Sequence, residues 1–226
     1  FDGFATARAT PEGLSELSAL RTVNQVLSPK RVRRHNDEAA AQAGVRTLNN
    51  GIGGTKYTGE GVMTCVIDTG IDWDHPDFTD EQGRSRVQYI WDHDNDARGV
   101  APPEYGNFDP GYGDEYGPAD IQSGNVEEVD TDGHGTHVTG TVASSGNAYE
   151  QTNGVEKFKG MAPDADIVAV KTNFSNVSIV DGINYCNRVA EQEGKPVVVN
   201  MSLGTLFRPG DGSSPLAAAT TALTDG

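Results

Sequence analysis

A doubly wound α/β fold, with a mostly parallel sheet and helices on both faces, is what this sequence predicts, preceded by a small α+β piece. Three observations predict it. The apolar runs at residues 61–67, 165–170 and 197–199 are continuous rather than alternating, the pattern of strands buried on both faces. Helical patterns lie between these runs, and strands separated by helices form a parallel sheet that its own crossovers cover. Two of the runs end abruptly in polar residues and a turn, Asp68-Thr-Gly and Asn200-Met-Ser-Leu-Gly. Those turns lie beyond the carboxyl ends of strands, where open parallel sheets bind their ligands.

The elements follow in order. Residues 1–9 alternate enough to form a strand. Thr10-Pro11 supplies an N-cap and a first-turn proline for a short helix with Leu14 and Leu17 on one face. Residues 23–27 are apolar enough for a second strand. Residues 29–37, Pro-Lys-Arg-Val-Arg-Arg-His-Asn-Asp, read as an exposed linker, because the basic cluster Lys30, Arg31, Arg33 and Arg34 has no apolar periodicity. An Ala-rich helix is predicted over residues 37–48, capped by Asn36 or Asp37 and broken by Asn49-Asn-Gly-Ile-Gly-Gly54. The first strand of the sheet then delivers Asp68 at its carboxyl end. Further on, Asp-Gly-His134-Gly-Thr-His opens a helix: Gly133 and Gly135 flank the imidazole, and Val138, Val142 and Ala143 continue a face that can be buried. A strand at 165–171, a helix at 177–191 carrying Val180, Ile183, Tyr185 and Val189, a strand at 197–201 and a helix at 215–224 complete the pattern.

With 226 residues the chain can bury a full core, as one large α/β domain with an appendage. Its net charge of −16 and lack of a long basic tract argue against nucleic acid or an anionic membrane as partner. No apolar run reaches membrane-spanning length. Cys65 falls in a strand pattern and Cys186 in a helical one, and both read as small buried residues, with a bridge between them as the other reading. Residues 79–130 read as an acidic insertion. Between residues 71 and 132 there are 17 Asp and Glu against 3 Arg and no Lys, a density that favours cationic or neutral partners in any adjoining cleft. Inside it, Asp92, Asp94 and Asp96 have the opening spacing of a calcium loop, but Ala97 stands where the turn glycine belongs and Pro103 at position twelve. His134 and His137 could hold zinc from one helix face, yet the Glu of a His-Glu-x-x-His pair is missing.

Asp68-Thr-Gly, His134-Gly-Thr-His and Asn200-Met-Ser-Leu-Gly, in that order and with Lys159-Gly-Met-Ala-Pro between the last two, resemble the subtilisin-like serine proteases, or subtilases. The likeness runs from about residue 59 to 204. It implies a serine endopeptidase in which Asp68 orients and supports His134, the general base and then acid. It also implies a cleft lined by Ser202, Leu203 and Gly204. The family's nucleophile lies in a Gly-Thr-Ser-Met-Ala type motif and its oxyanion-hole asparagine in an Ala-Gly-Asn type motif. Neither occurs in residues 1–226. The resemblance therefore implies a nucleophile beyond this stretch; the rival reading is an inactive pseudo-protease or peptide-binding module. Residues 1–28 resemble the later part of an inhibitory pro-domain, residues 29–50 its linker and a short helix, and residues 51–226 the front part of the catalytic domain. Peptide or protein substrates, the chain's own pro-domain as partner, and a secreted or cell-envelope location follow from the same likeness. No cofactor is required by it, though it admits calcium: Asp77 matches a calcium-ligating Asp of many subtilases, while Ser144-Ser-Gly-Asn-Ala148 does not match the loop that supplies the other ligands.

Overall fold

The computed structural model describes residues 9–23, 36–104, 106, 108–153, 158–204, 217, 220 and 221. The chain divides into two compact units, residues 1–35 and 36–226. In the first, helix α1 spans Pro11–Ser18. Thr10 caps it as its sequence predicts, its Oγ1 accepting the Gly13 N–H at 3.2 Å, with proline in the first turn. The strands expected at 1–9 and 23–27 and the linker at 29–37 fall almost wholly outside the described residues.

The second unit opens with two helices, α2 (Asn36–Gln42) and α3 (Val45–Asn50), where one was expected. Gly44 between them has φ +76°, a left-handed turn that no Ala-rich periodicity can carry through. Asn49 then donates to the carbonyls of Tyr57 (2.9 Å) and Met161 (3.3 Å), tying α3 to the body of the unit.

Five strands form one sheet: β1 (Met63–Asp68), β2 (Val87–Asp92), β3 (Asp114–Tyr116), β4 (Asp166–Lys171) and β5 (Val197–Asn200), in the spatial order β3-β2-β4-β1-β5. All neighbours are parallel except β3, which lies antiparallel on β2. Every residue of β1 is buried, as its unbroken apolar run requires. Alternate side chains feed two cores. Met63, Cys65, Ile67, Trp91, Val168 and Val170 pack on one face against Ile179, Ile183, Tyr185 and Val189 of α7 (Asn176–Glu193). On the other face, Ile90, Ile167 and Ala169 meet Ile121 of α4 (Pro118–Ser123) and Ala143 of α5 (His134–Ala143). A further helix, α6 (Asn147–Asn153), follows α5. Helices on both faces of a mostly parallel sheet are the doubly wound arrangement expected. The helix predicted at 215–224 falls mostly outside the described residues.

Two readings of the sequence are corrected here. The stretch taken as an acidic insertion contributes β2, β3 and α4, and Trp91 and Tyr116 within it are wholly buried. Its charge density hides a six-residue strand, Val-Gln-Tyr-Ile-Trp-Asp, that sits inside the sheet. Cys65 and Cys186, read first as separate buried thiols, form a disulfide, because α7 packs across β1 and brings their Cα atoms to 5.9 Å.

Arg86 anchors the corner where β2 begins. Its side chain is buried, and its guanidinium donates to the carbonyls of Asp77 (2.8 Å), Ala165 (2.8 Å), Thr79 (3.3 Å) and Ala143. Ala143 is the last residue of α5, where carbonyls lack partners within the helix and the helix dipole favours a cation. Among the described residues no helix is long and apolar enough to cross a membrane.

Candidate active site

Strand β1 delivers Asp68 to the carboxyl edge of the sheet, with its carboxylate 1% exposed. Its own carbonyl accepts the Thr172 N–H at 2.9 Å, and Oδ1 accepts the Thr69 N–H at 2.8 Å, so both backbone and side chain are held. From the other face, α5 begins at His134. Gly133, with φ +82°, turns the chain sharply before the helix, and the imidazole stands half exposed at its mouth. Nδ1 of His134 lies 2.7 Å from Oδ1 of Asp68. A carboxylate can only accept, so Nδ1 carries the proton and Nε2 is the ring nitrogen left to take one. The hydrogen bond and charge of Asp68 raise the His134 pKa above its ordinary value.

Close approach makes this distance attainable. A Cβ on Gly135 would lie 2.2 Å from the Gly70 carbonyl oxygen, so only glycine lets α5 sit against the turn after Asp68. The N-cap position is itself a glycine without a side chain, and the first N–H groups of α5 are satisfied from elsewhere. Thr69 Oγ1 accepts from Gly135 N–H at 2.8 Å, and Asp130 Oδ2 accepts from Thr136 N–H at 2.8 Å. Burial pushes the Asp130 carboxyl up, but hydrogen bonds from Thr136, Gly133 and Thr69 outweigh it and hold its pKa below the ordinary value.

A second carboxyl lies behind the turn. Glu128 is 2% exposed; its Oε2 accepts from Ile71 N–H at 3.3 Å, and its Oε1 is 3.8 Å from Lys171 Nζ. Burial, only partly offset by Lys171 and the Ile71 N–H, raises its pKa to about 7. Lys171, in register with both Asp68 and Asp92, also donates to the Val129 carbonyl at 2.9 Å and stands 3.6 Å from Asp92. Sequence reasoning passed over Glu128 and Lys171. Their only signal was position: one precedes the His134 motif by six residues, the other closes the strand beside β1.

The structure thus brings Asp68 and His134 together. Ser202, Leu203 and Gly204 follow β5, which pairs in parallel with β1 so that Asn200 lies opposite Val66. That register carries Ser202 to the same carboxyl edge as Asp68. Ser202 is exposed, its hydroxyl donating to Asn200 Oδ1 at 3.0 Å; Leu203 packs partly into the core, and the space beside the Gly204 Cα is open. The three aspartates read as a calcium-loop opening are not gathered. Asp92 is buried at the end of β2 and accepts from Asp94 N–H at 3.0 Å, Asp94 is exposed, and Asp96 accepts from the Gly113 N–H. Asp77 Oδ1 accepts from Ala148 N–H at 2.8 Å. Among the described residues no cluster of three His, Cys, Asp or Glu side chains, whether around these aspartates or around His137, is arranged to hold a metal ion.

A doubly wound sheet that ends in a buried aspartate bonded to a helix-mouth histidine defines a class of hydrolase fold, and comparison places this chain in it. Residues 59–225 match the subtilase family, peptidase S8, and the chain belongs to that family. Serine protease AprX of Bacillus subtilis (strain 168) is 28% identical over 207 residues, which is 88% of this chain and 38% of that protein. The minor extracellular protease Vpr of the same organism is 28% identical over 166 residues, covering 71% of this chain and 16% of Vpr. Among solved structures, the CspB protease of Clostridium perfringens superposes with a TM-score of 0.68 at 26% identity, over 84% of this chain and 38% of that one. The chain therefore spans well under half the length of these relatives.

Proposed function

We propose that this protein is a serine endopeptidase that cleaves peptide bonds by acyl transfer, with His134 as the proton carrier and Asp68 as its orienting acid. The observation that carries the reading is the 2.7 Å bond between a buried carboxylate and a half-exposed imidazole at the carboxyl edge of the sheet. Nε2 of His134 takes the proton of a serine hydroxyl as its oxygen attacks the scissile carbonyl carbon. The same nitrogen then gives that proton to the leaving amine as the C–N bond breaks, and a water molecule repeats the sequence to release the acid. Asp68 keeps the proton on Nδ1 and supports the imidazolium that forms between these steps. No Gly-Thr-Ser-Met-Ala type motif occurs in residues 1–226, so the serine is proposed to come from a segment outside them.

Ser202, Leu203 and Gly204 are proposed to line the cleft, their backbone pairing with an extended substrate, a mode in which main-chain bonds give affinity and alternate side chains give specificity. Residues 1–28 are proposed to act as an inhibitory pro-domain held at high effective concentration by the linker. The names of Vpr and AprX, an extracellular protease and a serine protease, support a secreted hydrolase. The Cys65–Cys186 disulfide supports the same compartment, since structural disulfides persist where the surroundings are oxidising. The test is turnover of peptide substrates by the complete protein, its block by a serine-directed phosphonate, and the effect of Asp68→Asn. Turnover should fall about 10⁴-fold with the fold intact, because the amide favours the wrong imidazole tautomer. No phosphonate-sensitive turnover, or near-normal turnover in Asp68→Asn, would mean an inactive binding module or a different base.

A further inference from the structure

We infer that Asp130 and Thr69 are positioning residues that together set the distance between Asp68 and His134 by capping α5 and tying its first turn to the turn after Asp68. The inference rests on the proteolytic reading for its activity readout only. A helix of this length exposes unsatisfied N–H groups at its start, and the residue before it normally caps them with its side chain. Here that residue is Gly133, which has no side chain to offer. The caps come from two places. Thr69, the residue after Asp68, accepts from Gly135 N–H at 2.8 Å. Asp130 accepts from Thr136 N–H (2.8 Å), Thr136 Oγ1 (2.6 Å), Gly133 N–H (2.9 Å) and Thr69 Oγ1 (2.9 Å).

Those four bonds fill the acceptor capacity of one carboxylate and join two separate pieces of chain through it. Thr69 donates to Asp130 and accepts from Gly135, so one hydroxyl links the acid's turn to the base's helix. Thr136 closes the other side, its Oγ1 accepting from Asp72 N–H at 2.9 Å. The four residues Thr69, Asp130, Gly135 and Thr136 thus form a closed hydrogen-bonded ring beneath the Asp68–His134 pair. A cap drawn wholly from the helix's own segment would leave these first N–H groups untied to the turn after β1. Helix α5 cannot shift without breaking its cap, and the negative charge of Asp130 is also favourably placed at the helix start. Fixing reacting groups in a productive geometry is where catalysis loses most to a small displacement, with about 1 Å costing roughly 10²-fold.

Thr69→Val removes the hydroxyl at constant shape and charge; Thr69→Ser restores it. The first readout needs no turnover: the low-field NMR resonance of the proton between His134 Nδ1 and Asp68 in the purified protein. It should be lost or broadened by solvent exchange in Thr69→Val and kept in Thr69→Ser. In the complete enzyme kcat should fall about 10- to 100-fold in Thr69→Val, with KM near wild type. If Thr69→Val does not fold, Asp130→Asn, which keeps one acceptor oxygen and loses the other, is read by the same resonance and should also lose it. A folded Thr69→Val or Asp130→Asn protein with the resonance unchanged overturns the inference. Loss of the resonance in a protein that has no turnover to begin with upholds the inference and sinks the protease reading instead.

Discussion

Replacing Gly135 by alanine tests the site through one methyl group. By helix propensity alone the change should help, since Gly costs about 1 kcal/mol relative to Ala inside a helix. The contact distances oppose it. The new carbon would stand 2.2 Å from the Gly70 carbonyl oxygen, 3.0 Å from the Gly70 nitrogen and 3.2 Å from Asp68 Cβ. Non-bonded heavy atoms settle at roughly 3.5 Å, so the mouth of α5 must retreat by about 1 Å. Added to the 2.7 Å bond between His134 and Asp68, that retreat takes the pair beyond hydrogen-bonding range. A misplacement of this size costs roughly 10²-fold in rate, equivalent to about 2.7 kcal/mol of transition-state stabilisation. The assay is kcat/KM of the complete enzyme on a peptide substrate, alongside a thermal melt. Gly160→Ala is the control, because its Cβ would crowd the backbone nitrogens of Ala143 and Ser144 at 2.6 Å, at the opposite end of the same helix. Gly160→Ala should lower the melting temperature more than the turnover of what remains folded. A Gly135→Ala enzyme with turnover close to wild type would refute the claim that this close approach is what makes the Asp68–His134 distance attainable.

Three further outcomes are expected. The acid limb of kcat/KM should lie above the ordinary imidazole value of about 6.5, because Asp68 stabilises the protonated His134, which cannot act as base; a limb at or below that value would place the general base elsewhere. Glu128, with its pKa raised to about 7, returns to about 4.3 on unfolding, so the native state holds a proton that the unfolded chain releases. Its contribution to stability is therefore full below the unfolded value and lost as pH rises through about 7, and Glu128→Gln should flatten the fall in melting temperature between roughly pH 5 and 8; identical pH profiles would show that Glu128 is not the group responsible. Replacing Cys65 and Cys186 together by alanine opens a loop of 121 residues, for which the chain-entropy relation gives a loss of about 5 kcal/mol. Urea unfolding measures it, and a loss under about 1 kcal/mol would mean that packing between α7 and β1, rather than the covalent link, holds that face.

Strands buried on both faces write long apolar runs, and β1 and β4 were legible for that reason. Asp68 was legible because it ends such a run beside a turn, and His134 because glycines flank it at the start of a helical pattern. Strand β2 was hidden by its neighbours. Arg84, Arg86 and a string of aspartates flank a six-residue apolar strand, and the local charge density outweighed a periodicity that short. The disulfide was not legible, because a strand cysteine and a helix cysteine 121 positions apart give no sign of meeting until α7 is laid across the sheet. The ring beneath the dyad was missed for a different reason. Thr69 sits inside the Asp68-Thr-Gly motif and Asp130 four residues before His134, but their roles depend on the absence of a cap at Gly133, and a missing side chain gives no pattern to detect. Helix α2 ran on too far in the prediction because composition cannot announce a left-handed glycine.

The buried guanidinium at the end of α5 has a consequence of a different kind. Protein corners where several carbonyls converge need positive charge, and a diffusible ion supplies it only in proportion to its free concentration, so that stability there follows mass action. Arg86 is part of the chain. Its charge reaches Asp77, Thr79, Ala143 and Ala165 at a local concentration set by the fold alone. Dilution does not remove it, and a chelator cannot reach it. The helix that presents His134 is thus fixed at its far end by a cation whose occupancy is independent of the medium, an advantage for the secreted protease proposed above.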